Sequence, residues 1–120
     1  MIQLYEKDVK FSLNKKPKVV NRNTKNKWGL VAVTVSWCHY CQNMKPEFKA
    51  SANMLEGNQL FFATIDADKS PKLVEKLGVS SFPTIFFIDK DGSIKDKYQG
   101  ERDKFSFNHY MCVMTRQCRI

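Results

Sequence analysis

No apolar run in the 120-residue chain approaches the length of a membrane-spanning helix, and Ile2-Gln3-Leu4-Tyr5-Glu6-Lys7-Asp8 mixes charges into every short apolar stretch near the N-terminus. The chain as given therefore reads without a membrane span or a signal peptide. It ends Cys118-Arg119-Ile120, which is not a Lys-Asp-Glu-Leu type of retention ending. A soluble protein is expected, its compartment left open between the cytoplasm and, if the chain has been trimmed, the lumen of the endoplasmic reticulum. Repeats and low-complexity segments are missing too. With 42% apolar residues, the composition suits a single globular domain over 1–120, of which 1–28 form a basic N-terminal strand and loop.

Acidic residues are absent between Asp8 and Glu47, an interval holding Lys10, Lys15, Lys16, Lys18, Arg22, Lys25 and Lys27, and the net charge is +8. Such a surface attracts nucleic acid or acidic partners. It lacks interleaved aromatics and any known binding motif, so it reads as a solvated basic face, and a nucleic-acid partner is not expected. Cysteine is scarce as well. The four cysteines form two groups about 70 residues apart, Cys38 with Cys41 and Cys112 with Cys118. Five residues separate the second two, which does not match a zinc or iron–sulfur ligand spacing, so no metal is expected.

What is present centres on Trp37-Cys38-His39-Tyr40-Cys41. Leu30 to Val35 is dominated by β-branched residues with little alternation, the pattern of a strand buried on both faces. From Tyr40 to Leu55, Met44, Phe48, Ser51, Ala52 and Leu55 recur at steps of three and four, opposite Lys45, Lys49 and Asn53, which predicts an amphipathic helix. Cys38 then sits at a helix N-terminus, where free N–H groups and the helix dipole favour an anion, and a protonated His39 adds to the effect. The thiolate of Cys38 is expected over the thiol. Cys41 lies one turn deeper, within reach of a mixed disulfide formed on Cys38. A purely structural disulfide across so small a loop would restrict the unfolded chain very little.

These residues resemble the thioredoxin superfamily, and the resemblance runs from about Gly29 to Arg119. Pro46, five residues after Cys41, matches the family's helix-kinking proline, whose missing N–H removes the bond to the Gln42 carbonyl. Ser81-Phe82-Pro83-Thr84 resembles the loop in which a cis-proline faces the two sulfurs. Ile65-Asp66-Ala67, Gly78-Val79 and Tyr98-Gln99-Gly100-Glu101-Arg102 are similar to protein disulfide isomerase domains. The resemblance implies an α/β thioredoxin-like fold, a central mixed β-sheet flanked by helices. It further implies a thiol–disulfide oxidoreductase needing no cofactor. Cys38 would attack, Cys41 resolve, Arg102 approach the resolving cysteine, and Phe82-Pro83 hold a substrate strand. Trp37, His39 and Tyr40 would support the pair, Trp37 by packing against the site. Its partners would be protein or peptide thiols and disulfides and a reductase or oxidase.

The departures are specific. Cys-His-Tyr-Cys is neither Cys-Gly-His-Cys nor Cys-Gly-Pro-Cys, and its Tyr40 is similar to glutaredoxins. Ala32 stands where the family carries a buried acid, and Thr64 stands in the place of that acid's lysine partner. His39 and the basic surroundings predict a reduction potential more oxidising than thioredoxin's, about −270 mV. The rival class is a non-catalytic thioredoxin-like binding module, which would have no need of both sulfurs.

Elsewhere, Val9, Phe11 and Leu13 alternate with polar residues and predict the first strand, followed by a loop over Pro17 to Lys27 with at most a short helix. The strand before the cysteines is expected to begin after Gly29. Leu60 to Ile65 predicts another strand, and Ser70-Pro71 an N-cap and N1 proline for a short helix to Leu77, with Gly78 at C′. Thr84–Ile88 and Ser93–Tyr98 predict a hairpin about Asp91-Gly92. From Arg102 to Cys118 a helix is predicted, with Phe107, Tyr110, Met111, Met114 and Cys118 on one face. Six helical positions span about 9 Å, more than the roughly 7 Å that a disulfide bridges, so Cys112 and Cys118 cannot pair while both are helical. Cys112 is expected as a surface thiol, ordinary or activated by His109 and Arg116.

Overall fold

The computed structural model describes residues 1–57 and 59–118. Among these residues a five-stranded sheet has the order β1-β5-β4-β6-β7. Its strands are β1 (Ile2–Leu4), β4 (Trp28–Thr34), β5 (Leu60–Asp66), β6 (Thr84–Ile88) and β7 (Ile94–Lys97). β1 and β4 flank β5 in parallel, whereas β6 runs antiparallel to both β4 and β7. Two short strands, β2 (Val9–Lys10) and β3 (Lys18–Val19), form a separate antiparallel ladder. The helices are α1 (His39–Leu55), α2 (Pro71–Lys76) and α3 (Lys104–Thr115).

The unalternating sequence of β4 has the expected consequence. Val31 and Val33 face one apolar cluster with Leu4, Ile65, Phe86 and the α2 residues Leu73 and Val74. Leu30 and Ala32 face the other, with Met44 and Phe48 of α1, Phe62, Phe87, and Phe107 and Met111 of α3. Helices thus cover both faces of the sheet, which brings the N-terminus of α1 to the end of β4. Gly78, at φ +72°, follows α2 in the left-handed region that ends helices, and Gly92, at φ +91°, makes the β6–β7 turn. No helix among the described residues is long and apolar enough to cross a membrane.

Several expectations are corrected. The main sheet begins at Ile2, not Val9; Val9 and Lys10 pair only with β3, while Phe11 and Leu13 are exposed, Leu13 by 90%. Alternation without a partner strand does not make a sheet. The interval from Pro17 to Lys27 has no helix, in keeping with its missing apolar stripe, but it is not all loop, since Lys18 and Val19 form β3. β4 starts at Trp28, one residue before Gly29, through its pairing with Leu60. Ser70 holds the N-cap position of α2 without a side-chain cap bond. At the C-terminus α3 stops at Thr115, with Arg116 in the left-handed conformation at φ 57°. Cys118 therefore lies beyond the helix, and Cys112 is not a free thiol but is joined to Cys118 with a Cα–Cα distance of 4.5 Å.

Candidate functional site

Cys38 is the N-cap of α1, in extended conformation, and its Sγ accepts the backbone N–H of Cys41 at 3.1 Å. This bond satisfies one of the orphan donors of a helix N-terminus and aims an N–H at the sulfur, an arrangement suited to negative charge developing there. On its other side the Cys38 thiol donates to the carbonyl of Phe82 at 3.4 Å. The two sulfurs belong to free cysteines in one small apolar cluster with Val35, against which Ala67 and Phe82 pack. Cys41 is wholly buried and Cys38 is 5% exposed. Burial, and after it the hydrogen bond with Cys38, pushes the Cys41 thiol from 9.0 up to about 11; a backbone bond at Val35 and the charge of Lys45 pull weakly the other way.

The Phe82-Pro83 peptide bond is cis, and Pro83 is buried. Around the sulfurs, Trp37 is 74% and Tyr40 65% exposed. Trp37 meets Phe82 edge-on at 5.9 Å between ring centroids, so its packing against the site leaves most of the indole in solvent. His39 Nε2 lies 3.2 Å from the Asn43 amide one turn along α1. The Arg102 guanidinium sits over the Tyr40 ring, Cζ 6.0 Å from its centroid, which ties the β7–α3 connection to the dipeptide between the cysteines. α1 continues through Pro46.

Some supporting residues escape a sequence reading. The Ser36 N–H donates to Asp68 at 3.0 Å, and the Gln42 amide donates to the Ser36 carbonyl at 3.1 Å, so the loop leading to Cys38 is held from β5's end and from α1. The Ser36 bonds hold the Asp68 carboxyl below its usual range. Ser36 and Asp68 are 32 residues apart, and nothing local marks their contact.

Residues 11–112 match the Thioredoxin family. The chain belongs to the thioredoxin family. Among relatives of this thioredoxin-family chain, protein disulfide isomerase-like 1-3 of Arabidopsis thaliana is 37% identical over 79 residues, covering 66% of the chain and 13% of that protein. Protein disulfide-isomerase tigA of Aspergillus niger is 36% identical over 86 residues, covering 68% and 24% respectively. The chain thus spans less than a quarter of the length of these relatives. Among solved structures, the Trx4 domain of ERdj5 superposes with a TM-score of 0.73 at 19% identity, over 98% of this chain and 96% of that one. Human ERp44 gives 0.69 at 22% identity over 81% and 30%. The likeness of fold extends beyond the cysteine region to nearly the whole chain.

Proposed function

We propose that the protein is a thiol–disulfide oxidoreductase acting on protein or peptide disulfides. The observation that supports it most directly is the Cys41 N–H aimed at the Cys38 sulfur, opposite the Phe82-Pro83 loop. In the reductive direction the Cys38 thiolate attacks one sulfur of a substrate disulfide; a new S–S bond forms, the substrate S–S bond breaks, and the leaving sulfur takes a proton. Cys41, once deprotonated, attacks the Cys38 sulfur, releasing the second substrate thiol and closing Cys38–Cys41. Two electrons pass to the substrate, and a reductase partner restores the dithiol. The oxidative direction is the reverse, with an oxidase partner, and no cofactor is required in either. An extended substrate would pair its backbone with Phe82, while Trp37, His39 and Tyr40 would line its path and Arg102 would supply positive charge nearby.

Turnover in a peptide-disulfide reduction assay tests this reading. Cys38→Ser should abolish turnover, and Cys41→Ser should accumulate mixed disulfides, since only the second sulfur releases a captured substrate. No turnover by the unaltered protein would leave the binding-module reading in its place. Equilibration of Cys38–Cys41 against a glutathione buffer gives its reduction potential, expected above about −270 mV.

A further inference from the structure

Nothing in the sequence around residue 116 stops a helix. There is no glycine, proline or asparagine from Cys112 to Cys118, and Arg116 and Gln117 are strong helix formers. Yet α3 ends at Thr115 because Arg116 takes a left-handed conformation that glycine favours and arginine does not. The cross-link supplies the reason. A continued helix would hold the Cα atoms of Cys112 and Cys118 about 9 Å apart, whereas the bonded pair has them 4.5 Å apart. Disulfide and helix continuation are mutually exclusive.

The apolar stripe also runs past the stop. Phe107 and Met111 are buried and Met114 is partly buried against the same cluster, and the next position at that spacing is Cys118, which is exposed. As a small apolar side chain, a reduced Cys118 suits that face. The pair is remote from Cys38. α3 tracks α1 in the same direction, with Lys104 N–H on Glu47 at 3.0 Å and Asn108 bonded to Ser51 and Met54. Cys112 therefore lies toward the last turn of α1, roughly 20 Å of helix from Cys41, so the two pairs cannot exchange within one molecule.

We propose that Cys112–Cys118 is a second redox couple, whose reduction by an external dithiol lets α3 continue through Cys118. The exposed Cys118 sulfur is the point of attack: the dithiol's thiolate bonds to it, the Cys112–Cys118 bond breaks, and Cys112 leaves as a thiolate that takes a proton. The dithiol's second sulfur then closes on the first, releasing the Cys118 thiol. Two electrons move from the dithiol, which ends as a disulfide, to the pair. Because conformation and redox state are linked, a change that favours one backbone conformation at Arg116 must shift the redox equilibrium equally. The proposal does not depend on turnover at Cys38.

The test uses the full chain, oxidised in air and then treated with dithiothreitol. The Arg116 13Cα shift should move from left-handed to helical values on reduction, with slower amide exchange at Gln117 and Cys118. These readouts are local, so simultaneous reduction of Cys38–Cys41 does not confuse them. In glutathione buffers, Arg116→Gly should move the 112–118 equilibrium about tenfold toward the disulfide, since glycine both favours the left-handed stop and disfavours the helix. The proposal is overturned if the air-oxidised protein keeps both thiols alkylatable, if Arg116 stays left-handed after reduction, or if Arg116→Gly leaves the equilibrium unchanged.

Discussion

Ala32 lies directly beside Thr64 across the parallel β4–β5 ladder, the first wholly buried and the second half-buried. On its other side Ala32 is in register with Ile85, and its face of the sheet is the one that α1 covers. Neither a methyl group nor a threonine hydroxyl accepts a thiol proton readily at neutral pH. Under the proposed function Cys41 would have to lose its proton without a carboxylate at this position, so release from the mixed disulfide should be slow. Ala32→Glu is expected to speed single-turnover release of a labelled peptide from Cys38 at pH 7 by about tenfold or more, at some cost in stability from overpacking and from burying a carboxyl. A folded variant that releases no faster would show that another group already takes the proton.

The same release should depend steeply on pH. With the Cys41 thiol pushed up to about 11, chiefly by burial, only about one molecule in ten thousand carries its thiolate at pH 7. Substrate bonded to Cys38 removes the influence of that thiol but leaves the burial. Release should rise about tenfold per pH unit between pH 6 and 9, and a flat profile would contradict this. The sign for stability is opposite. The fold favours the protonated thiol, so this contribution is complete below about pH 8.5 and is lost as pH rises toward 11. The urea midpoint of the reduced protein should fall over that window more than that of Cys41→Ala.

Gly29 faces Phe61 so closely that a Cβ at position 29 would lie 2.2 Å from the Phe61 ring. Phe61 is 1% exposed within a core cluster, so its ring can move only by displacing packed neighbours. Gly29→Ala should therefore lower stability by about 1–3 kcal/mol, read as a shifted urea midpoint, while the folded protein keeps its turnover. An unchanged midpoint would mean that the ring relocates freely.

Tyr40 and Arg102 offer a smaller effect. A double-mutant cycle of Tyr40→Ala and Arg102→Ala on thermal stability should give a coupling of about 0.5–1 kcal/mol, the range for an exposed cation–π pair. A coupling near zero would indicate that the guanidinium is held by solvent rather than by the ring.

Much of this architecture was legible because the patterns were long. β4, α1, β5, α2 and the β6–β7 hairpin each carry apolar periodicity or a Pro or Gly boundary signal, and the candidate site, Arg102 apart, lies in two contiguous stretches, residues 37–41 and 82–83. β1, β2 and β3 have two or three residues each, too few for a period, and only their pairing identifies them. The Asp68 bond to Ser36 spans 32 residues, and β5, β6 and β7 all intervene between Tyr40 and Arg102, so neither contact leaves a local trace. The end of α3 was illegible for a different reason: a covalent bond sets it, against the preference of the residues there.

The two outer strands of the sheet bear on self-association. β1 is only three residues long, and β7 presents Lys95, Asp96 and Lys97 exposed along the opposite flank. Short length and closely spaced charges are the devices by which sheet flanks resist pairing with other chains and the aggregation that follows. Such pairing is discouraged at both flanks of the main sheet, and under the proposed function a substrate segment would align at the Phe82 backbone instead.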